Sequence, residues 1–88
     1  MPMGPVLEAE YETVPWVDVD STNLQAVGYV AGLRLWVRFK GTPGKRRGTV
    51  YAYDAVPERV YLELLNAPSK GEYLHENVKG RYGYAGPY

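Results

Sequence analysis

The chain has eighty-eight residues, which are expected to form one domain, and its ten Lys and Arg are balanced by ten Asp and Glu. It has no cysteine, which rules out a disulfide framework and a thiolate metal site. The N-terminus shows no signal pattern and nothing approaches a membrane span, so the expected compartment is the cytoplasm, with no membrane partner.

Residues 1–20 form an acidic arm: Glu8, Glu10, Glu12, Asp18 and Asp20 lie there without a basic residue. All ten Lys and Arg fall in residues 21–88 against five acids, a net of +5 for the body. Such an arm either folds back on the body or screens it until a polyanion competes. Within the arm, Leu7, Ala9 and Tyr11 alternate with Glu8, Glu10 and Glu12. That period of two predicts a half-exposed edge strand over Val6–Thr13, bracketed by Pro5 and Pro15. The strand would add to the domain's own sheet or to a neighbour's.

Asp20-Ser21-Thr22-Asn23 is turn chemistry. Three strands follow: Ala26–Val30, Leu33–Lys40 after an Ala31-Gly32 turn, and Thr49–Asp54. In the second, Leu33, Leu35, Val37 and Phe39 share one face, and Arg34, Trp36, Arg38 and Lys40 the other. Gly41–Gly48 is a loop bearing Lys45, Arg46 and Arg47. Pro57 opens a helix whose apolar stripe is Val60, Leu64 and Leu65 with Tyr61, and Pro68 stops it. Ser69 with Glu72 reads as a capping box for a second helix to about Lys79, with Tyr73, Leu74 and Val78 inward and Gly80 as the left-handed terminator. The tail from Arg81 is Tyr-Gly-rich and expected to be irregular.

These elements give an α+β domain: a small antiparallel meander of three to four strands, then two C-terminal helices packed on one face. The residues Asp20-Ser21-Thr22-Asn23-Leu24, Ala26-Val27-Gly28-Tyr29, Leu35-x-Val37-x-Phe39, Tyr51-x-Tyr53, Val56-Pro57, Val60-Tyr61, Leu64-Leu65 and Ser69-x-Gly71-x-Tyr73 stand in a fixed order. That pattern closely resembles the KTSC domain, a module named after the C-terminus of some lysyl-tRNA synthetases and also found as free-standing bacterial and phage proteins. The resemblance covers residues 21–84 and leaves 85–88 as a tail. It implies a family motif at Tyr51, Tyr53, Pro57, Tyr61, Ser69, Gly71 and Tyr73, and RNA as the suggested ligand.

Catalytic constellations are thin. Asp18-x-Asp20-Ser21-Thr22 resembles the start of metal-dependent phosphotransferases, but such sites need further carboxylates from a larger fold, so a turn built on Asp20 and Ser21 is the better reading. His75 is the only histidine, which leaves no His pair for zinc and no catalytic triad, and suits a surface or rim position. A tyrosine nucleophile lacks the surrounding Arg and His groups that would stabilise a phosphate. Gly41-Thr42-Pro43-Gly44 has the letters of the KH-domain GxxG loop but joins two strands rather than two helices, and the Walker spacing is absent. The expectation is a chain with no enzymatic activity, no cofactor and no metal.

The strand face remains. Arg34, Trp36, Arg38 and Lys40, followed by Lys45, Arg46 and Arg47, would offer cations for phosphates and an indole on which a base stacks. Lys70, in the first turn of the last helix, stands where a cation opposes the helix dipole, and phosphate anchoring would explain it. The competing reading covers Trp36 with the arm and pairs the arginines with Glu8, Glu10 and Glu12. Tyr51 and Tyr53 share a face opposite charged Asp54, which favours an inward, core position. The sequence thus points to a non-catalytic module binding RNA or single-stranded nucleic acid. The alternative is a protein-interaction or self-assembly module, in which residues 6–13 add as a strand to a partner or a second copy.

Overall fold

Strands rich in Val, Tyr, Trp and Phe between short polar turns pair here as a five-stranded antiparallel meander, in spatial order β1-β2-β3-β4-β5. This computed structural model describes residues 5–30, 34–41 and 48–88, with side chains from Ala9 onward. The strands are β1 (Val17–Asp18), β2 (Leu24–Val30), β3 (Arg34–Phe39), β4 (Val50–Tyr53) and β5 (Tyr84–Ala85); the helices are α1 (Pro5–Thr13), α2 (Glu58–Asn66) and α3 (Lys70–Asn77). The Ala31-Gly32 turn, Leu33 and the Lys45-Arg46-Arg47 loop lie outside the described residues. Both sheet edges are two-residue strands, too short to invite further pairing.

The α2–α3 side of the sheet follows the sequence pattern. Leu24, Val27, Leu35, Val37 and Tyr53 from the strands meet Val56, Val60, Leu64, Leu74 and Val78, all buried in one core. Pro57 sits at the N-cap of α2, one place before the expected first turn, where it has no amide hydrogen to leave unpaired. Ser69 Oγ accepts the Glu72 amide hydrogen at 3.4 Å, forming the amide half of the expected cap. Gly80 has φ 79°, the left-handed value expected of it.

The opposite side is also covered. The β2–β3–β4 register aligns Gly28, Trp36 and Ala52 across three strands. Two small residues thus flank the indole, and Val14, Trp36, Val50 and Ala52 form a second buried cluster with Tyr11, Trp16, Val30 and Tyr88 around it. What covers this side is α1, so residues 6–13 are helical and not the edge strand that their alternation suggests. Ala, Leu and Glu favour helix, and Ala and Glu are depleted in strands, so the segment is free to take the helical form that docking on the sheet selects. In helical geometry Glu10, Tyr11 and Val14 face the sheet together, while Ala9, Glu12 and Thr13 are exposed. The arm does supply an edge strand, but at Val17–Asp18, paired with Val27 and Ala26.

The tail is more regular than expected. β5 pairs Ala85 with Ala52 and Tyr84 with Tyr53, and the Tyr88 amide donates to the Val50 carbonyl at 2.9 Å. Among the described residues no helix is long and apolar enough to cross a membrane.

Gly28 is needed for close approach. A Cβ there would lie 2.5 Å from Val14 Cγ1 and 3.3 Å from the Pro15 carbonyl oxygen, whereas one on Gly83 would meet nothing within 4 Å. Gly28→Ala is expected to cost about 1–3 kcal/mol of stability by displacing the arm, and Gly83→Ala to stay within about 0.5 kcal/mol of the parent. Urea midpoints of the two variants check this.

Candidate functional site

The β3 face expected to look outward is closed. Trp36 is 0% exposed, and its indole N–H donates to Glu10 Oε2 at 2.6 Å. Arg34 is held between two carboxylates, Glu10 and Asp54, each at 2.9 Å. The hydrogen bond to Asp54, and after it that to Glu10, raise the Arg34 pKa against the opposing effect of burial. Arg38 donates to the Tyr11 hydroxyl at 3.4 Å and lies 4.6 Å from the centre of the Trp16 ring. Trp36 is therefore unavailable for stacking a base, because the acidic arm has docked over it. Of the four alternating residues on β3, only Lys40, just past its end, is exposed. Lys70 is occupied as well: its ammonium donates to the Ala67 carbonyl at 3.1 Å, at the C-terminal end of α2, where the dipole favours a cation.

An open groove lies on the other side, along α3. Its middle part, about 550 Å³, is lined by Asn23, Phe39, Lys40, Ser69, His75 and Lys79, with Gly71 and Glu72 beside them. Lys79 continues into a hollow of about 320 Å³ made by Tyr51, Tyr53, Gly80 and Tyr84. At the other end Asn23, Ser69 and Gly71 are shared with a polar hollow of about 310 Å³ that reaches Asp20 and Lys70. The three hollows follow one another along α3 through these shared residues, with Lys40, Lys79 and the acidic Glu72 in the middle one and tyrosines at one end. Tyr84 is 62% exposed, and its ring centre lies 5.7 Å from that of Tyr51 and 5.9 Å from that of Tyr53. Lys79 Nζ lies 5.0 Å from the Phe39 ring centre, so a cation already rests on this aromatic floor.

The motif residues divide between groove and scaffold. Tyr53 is buried and Tyr51 half-buried, both on the helix side, with their outer edges lining the aromatic hollow. A Cβ on Gly71 would fall 2.9 Å from Asn23 Nδ2, so glycine lets α3 press against the β1–β2 turn. Ser21 Oγ accepts the Asn23 and Leu24 amide hydrogens in that turn, as turn chemistry requires. Tyr61 stacks on Tyr29 at 5.3 Å, and the Tyr29 hydroxyl donates to the Val56 carbonyl at 2.7 Å. Tyr73 donates to Glu63 at 2.6 Å; burial first and that bond second push its pKa to about 12. Pro57, Tyr61 and Tyr73 thus serve the packing of the helices. His75 lies on the groove rim. Lys79 and Tyr84 are groove residues that the order of the chain does not reveal, because α3 and β5 bring them to β4 from far along the sequence. No group of three or more acidic or histidine side chains is placed to hold a metal ion among the described residues.

Residues 20–82 match the family model described as the KTSC domain. The crystal structure of a KTSC domain protein from Yersinia pestis is similar, with a TM-score of 0.70 and 26% identity, covering 82% of this chain and 94% of that one. Lysine–tRNA ligases from Trichormus variabilis and a Nostoc species match over 37 residues, at 54% and 51% identity. That stretch is 42% of this chain and 7% of each ligase, so the chain spans only a small part of the length of these relatives.

Burial, and then the neighbouring Tyr51 and Tyr84, push Tyr53 up to about 12 from 10.0. A phenol whose pKa is raised in the folded state contributes stability that is complete below about pH 10 and lost as pH rises through about 12. The Tyr53→Phe variant is expected to lose less stability over that window than the parent. Chemical denaturation at pH 9, 10, 11 and 12, roughly spanning the phenol range, measures the difference.

Proposed function

This chain belongs to the KTSC domain family, and we propose that it is a non-catalytic module that binds single-stranded nucleic acid, RNA in the first place, in the groove along α3. The observation that carries this reading is the pairing of Lys40 and Lys79 with an aromatic floor of Phe39, Tyr51 and Tyr84 in two adjoining hollows that share Lys79. A single strand needs both: cations spaced along its phosphates and a ring on which an unpaired base stacks. Tyr84 is the ring left most exposed. The relatives that share a stretch with this chain are tRNA ligases by name, which supports RNA over other polyanions. Of the cations expected on β3, this reading keeps Lys40. Arg34, Arg38 and Trp36 drop out because Glu10, Tyr11 and Trp16 occupy them.

The test is a titration of a labelled oligo-uridine of about 12 nucleotides at low and moderate salt. Affinity should fall with salt, and Lys40→Ala and Lys79→Ala should each weaken it and lower the salt slope by about one unit. Tyr84→Ala should cost about 1–3 kcal/mol of binding. Arg59→Ala, on the exposed face of α2 and away from the groove, should leave binding unchanged. Salt-independent binding, or binding indifferent to Lys40, Lys79 and Tyr84, would remove the groove as the site.

A further inference from the structure

We propose that the sheet face under α1 is a receptor for acidic, tyrosine-bearing helical segments, and that α1 is the copy of such a segment that this chain carries in cis. The first support is how the chain divides. The family match begins at residue 20, so Arg34, Trp36 and Arg38 belong to the domain, while Glu10 and Tyr11 belong to an extension in front of it. The slot for the carboxylate and its occupant are thus separate parts of one polypeptide, while Trp16, beside Tyr11, belongs to the extension itself.

The second support is the chemistry of the slot. One carboxylate, Glu10, is read by two donors at once: the fully buried Trp36 N–H at 2.6 Å and the Arg34 guanidinium at 2.9 Å. Asp54 holds the far side of Arg34 at 2.9 Å and fixes the guanidinium in place. The next residue, Tyr11, is read as closely. Its ring stands edge-on to Trp36, Trp16 and Tyr88 at 5.5, 6.5 and 6.4 Å, and its hydroxyl accepts from Arg38. A Glu-Tyr pair on one helical turn fits these groups, as a hot-spot anchor does in a groove.

Third, α1 is only nine residues long, too short to persist as a helix in water by itself. Its helical form depends on docking, which makes the docked state a binding equilibrium with a high effective concentration set by the short connection to β1. The same site is poor for a nucleic acid: Asp54 sits against Arg34 and would repel a phosphate.

The experiment uses the full chain and a fluorescein-labelled peptide of residues 5–16. In the parent the cis segment competes, whereas in Glu10→Ala it is loosened. The peptide should bind the Glu10→Ala chain at least about 10-fold more tightly than the parent. A peptide carrying Glu10→Gln should bind weakly to both, and adding Arg34→Ala to the Glu10→Ala chain should abolish capture. If Glu10→Ala does not fold, as judged by circular dichroism, Tyr11→Ala replaces it with the same expected order of affinities. Equal affinity for parent and loosened chain, or binding indifferent to the peptide carboxylate or to Arg34, overturns the proposal. So does Arg34-dependent capture of oligo-uridine in place of the peptide by the loosened chain.

Discussion

The hydrogen bond from the Trp36 indole to Glu10 decides how this small sheet is used. A tryptophan at the centre of the middle strand can be fully buried only if its N–H finds an acceptor, since an unpaired buried donor costs on the order of 1–3 kcal/mol. Glu10 supplies that acceptor and brings its own charge, which Arg34 neutralises. The arm must then cross the sheet as a helix, because only helical geometry turns Glu10, Tyr11 and Val14 to the same side. Gly28 and Ala52 complete the fit by leaving room on either side of the indole. An 88-residue chain thereby obtains two cores from one sheet, which matters at a size where a single core is marginal.

Much of this was legible in the order of residues, and the parts that were not have physical reasons. The β2–β4 meander and α2 and α3 announce themselves because their apolar positions repeat at two or at three to four, and because Pro57, Ser69 and Gly80 stand at their ends. Tyr51 and Tyr53 could be turned inward from the charge of Asp54 alone. The arm was harder to read. Over Val6–Thr13 the alternation of acid and apolar residues satisfies a strand, while the same letters are strong helix formers; only the demand of Trp36 and Arg34 for a carboxylate separates the two. β5 has two residues and owes its conformation to the edge of β4, so nothing local marks it. The reading in which the arm covers Trp36 and pairs the arginines with Glu8, Glu10 and Glu12 was present in the charge asymmetry; the fold adopts its cover of Trp36 and its Glu10–Arg34 pair, while Glu12 is exposed.

The groove was the least legible feature. Lys40 comes from the end of β3, His75 and Lys79 from α3 and the turn after it, and Tyr84 from β5. These four are neighbours only once the sheet has closed around α3. A run of cations along one strand is easy to see and is partly spent on internal pairing here. A site assembled one residue per element leaves no such run.

The two sides of the sheet therefore divide the charge of the chain between them. Residues 21–88 carry a net of +5, and the five acids of residues 1–20 offset it over the molecule as a whole. The offset is local, however. Glu10 neutralises Arg34 on the α1 side, and at about 10 Å screening length in ordinary salt its influence on the far face is small. Lys40 and Lys79 stand on that far face, beside rings that a docked arm does not reach. A chain neutral in sum thus keeps Lys40, Lys79 and their neighbouring rings on one side, where Glu72 and, at the far end, Asp20 are the acids beside them. The arm that cancels its charge on paper is anchored on the other side by the indole it covers.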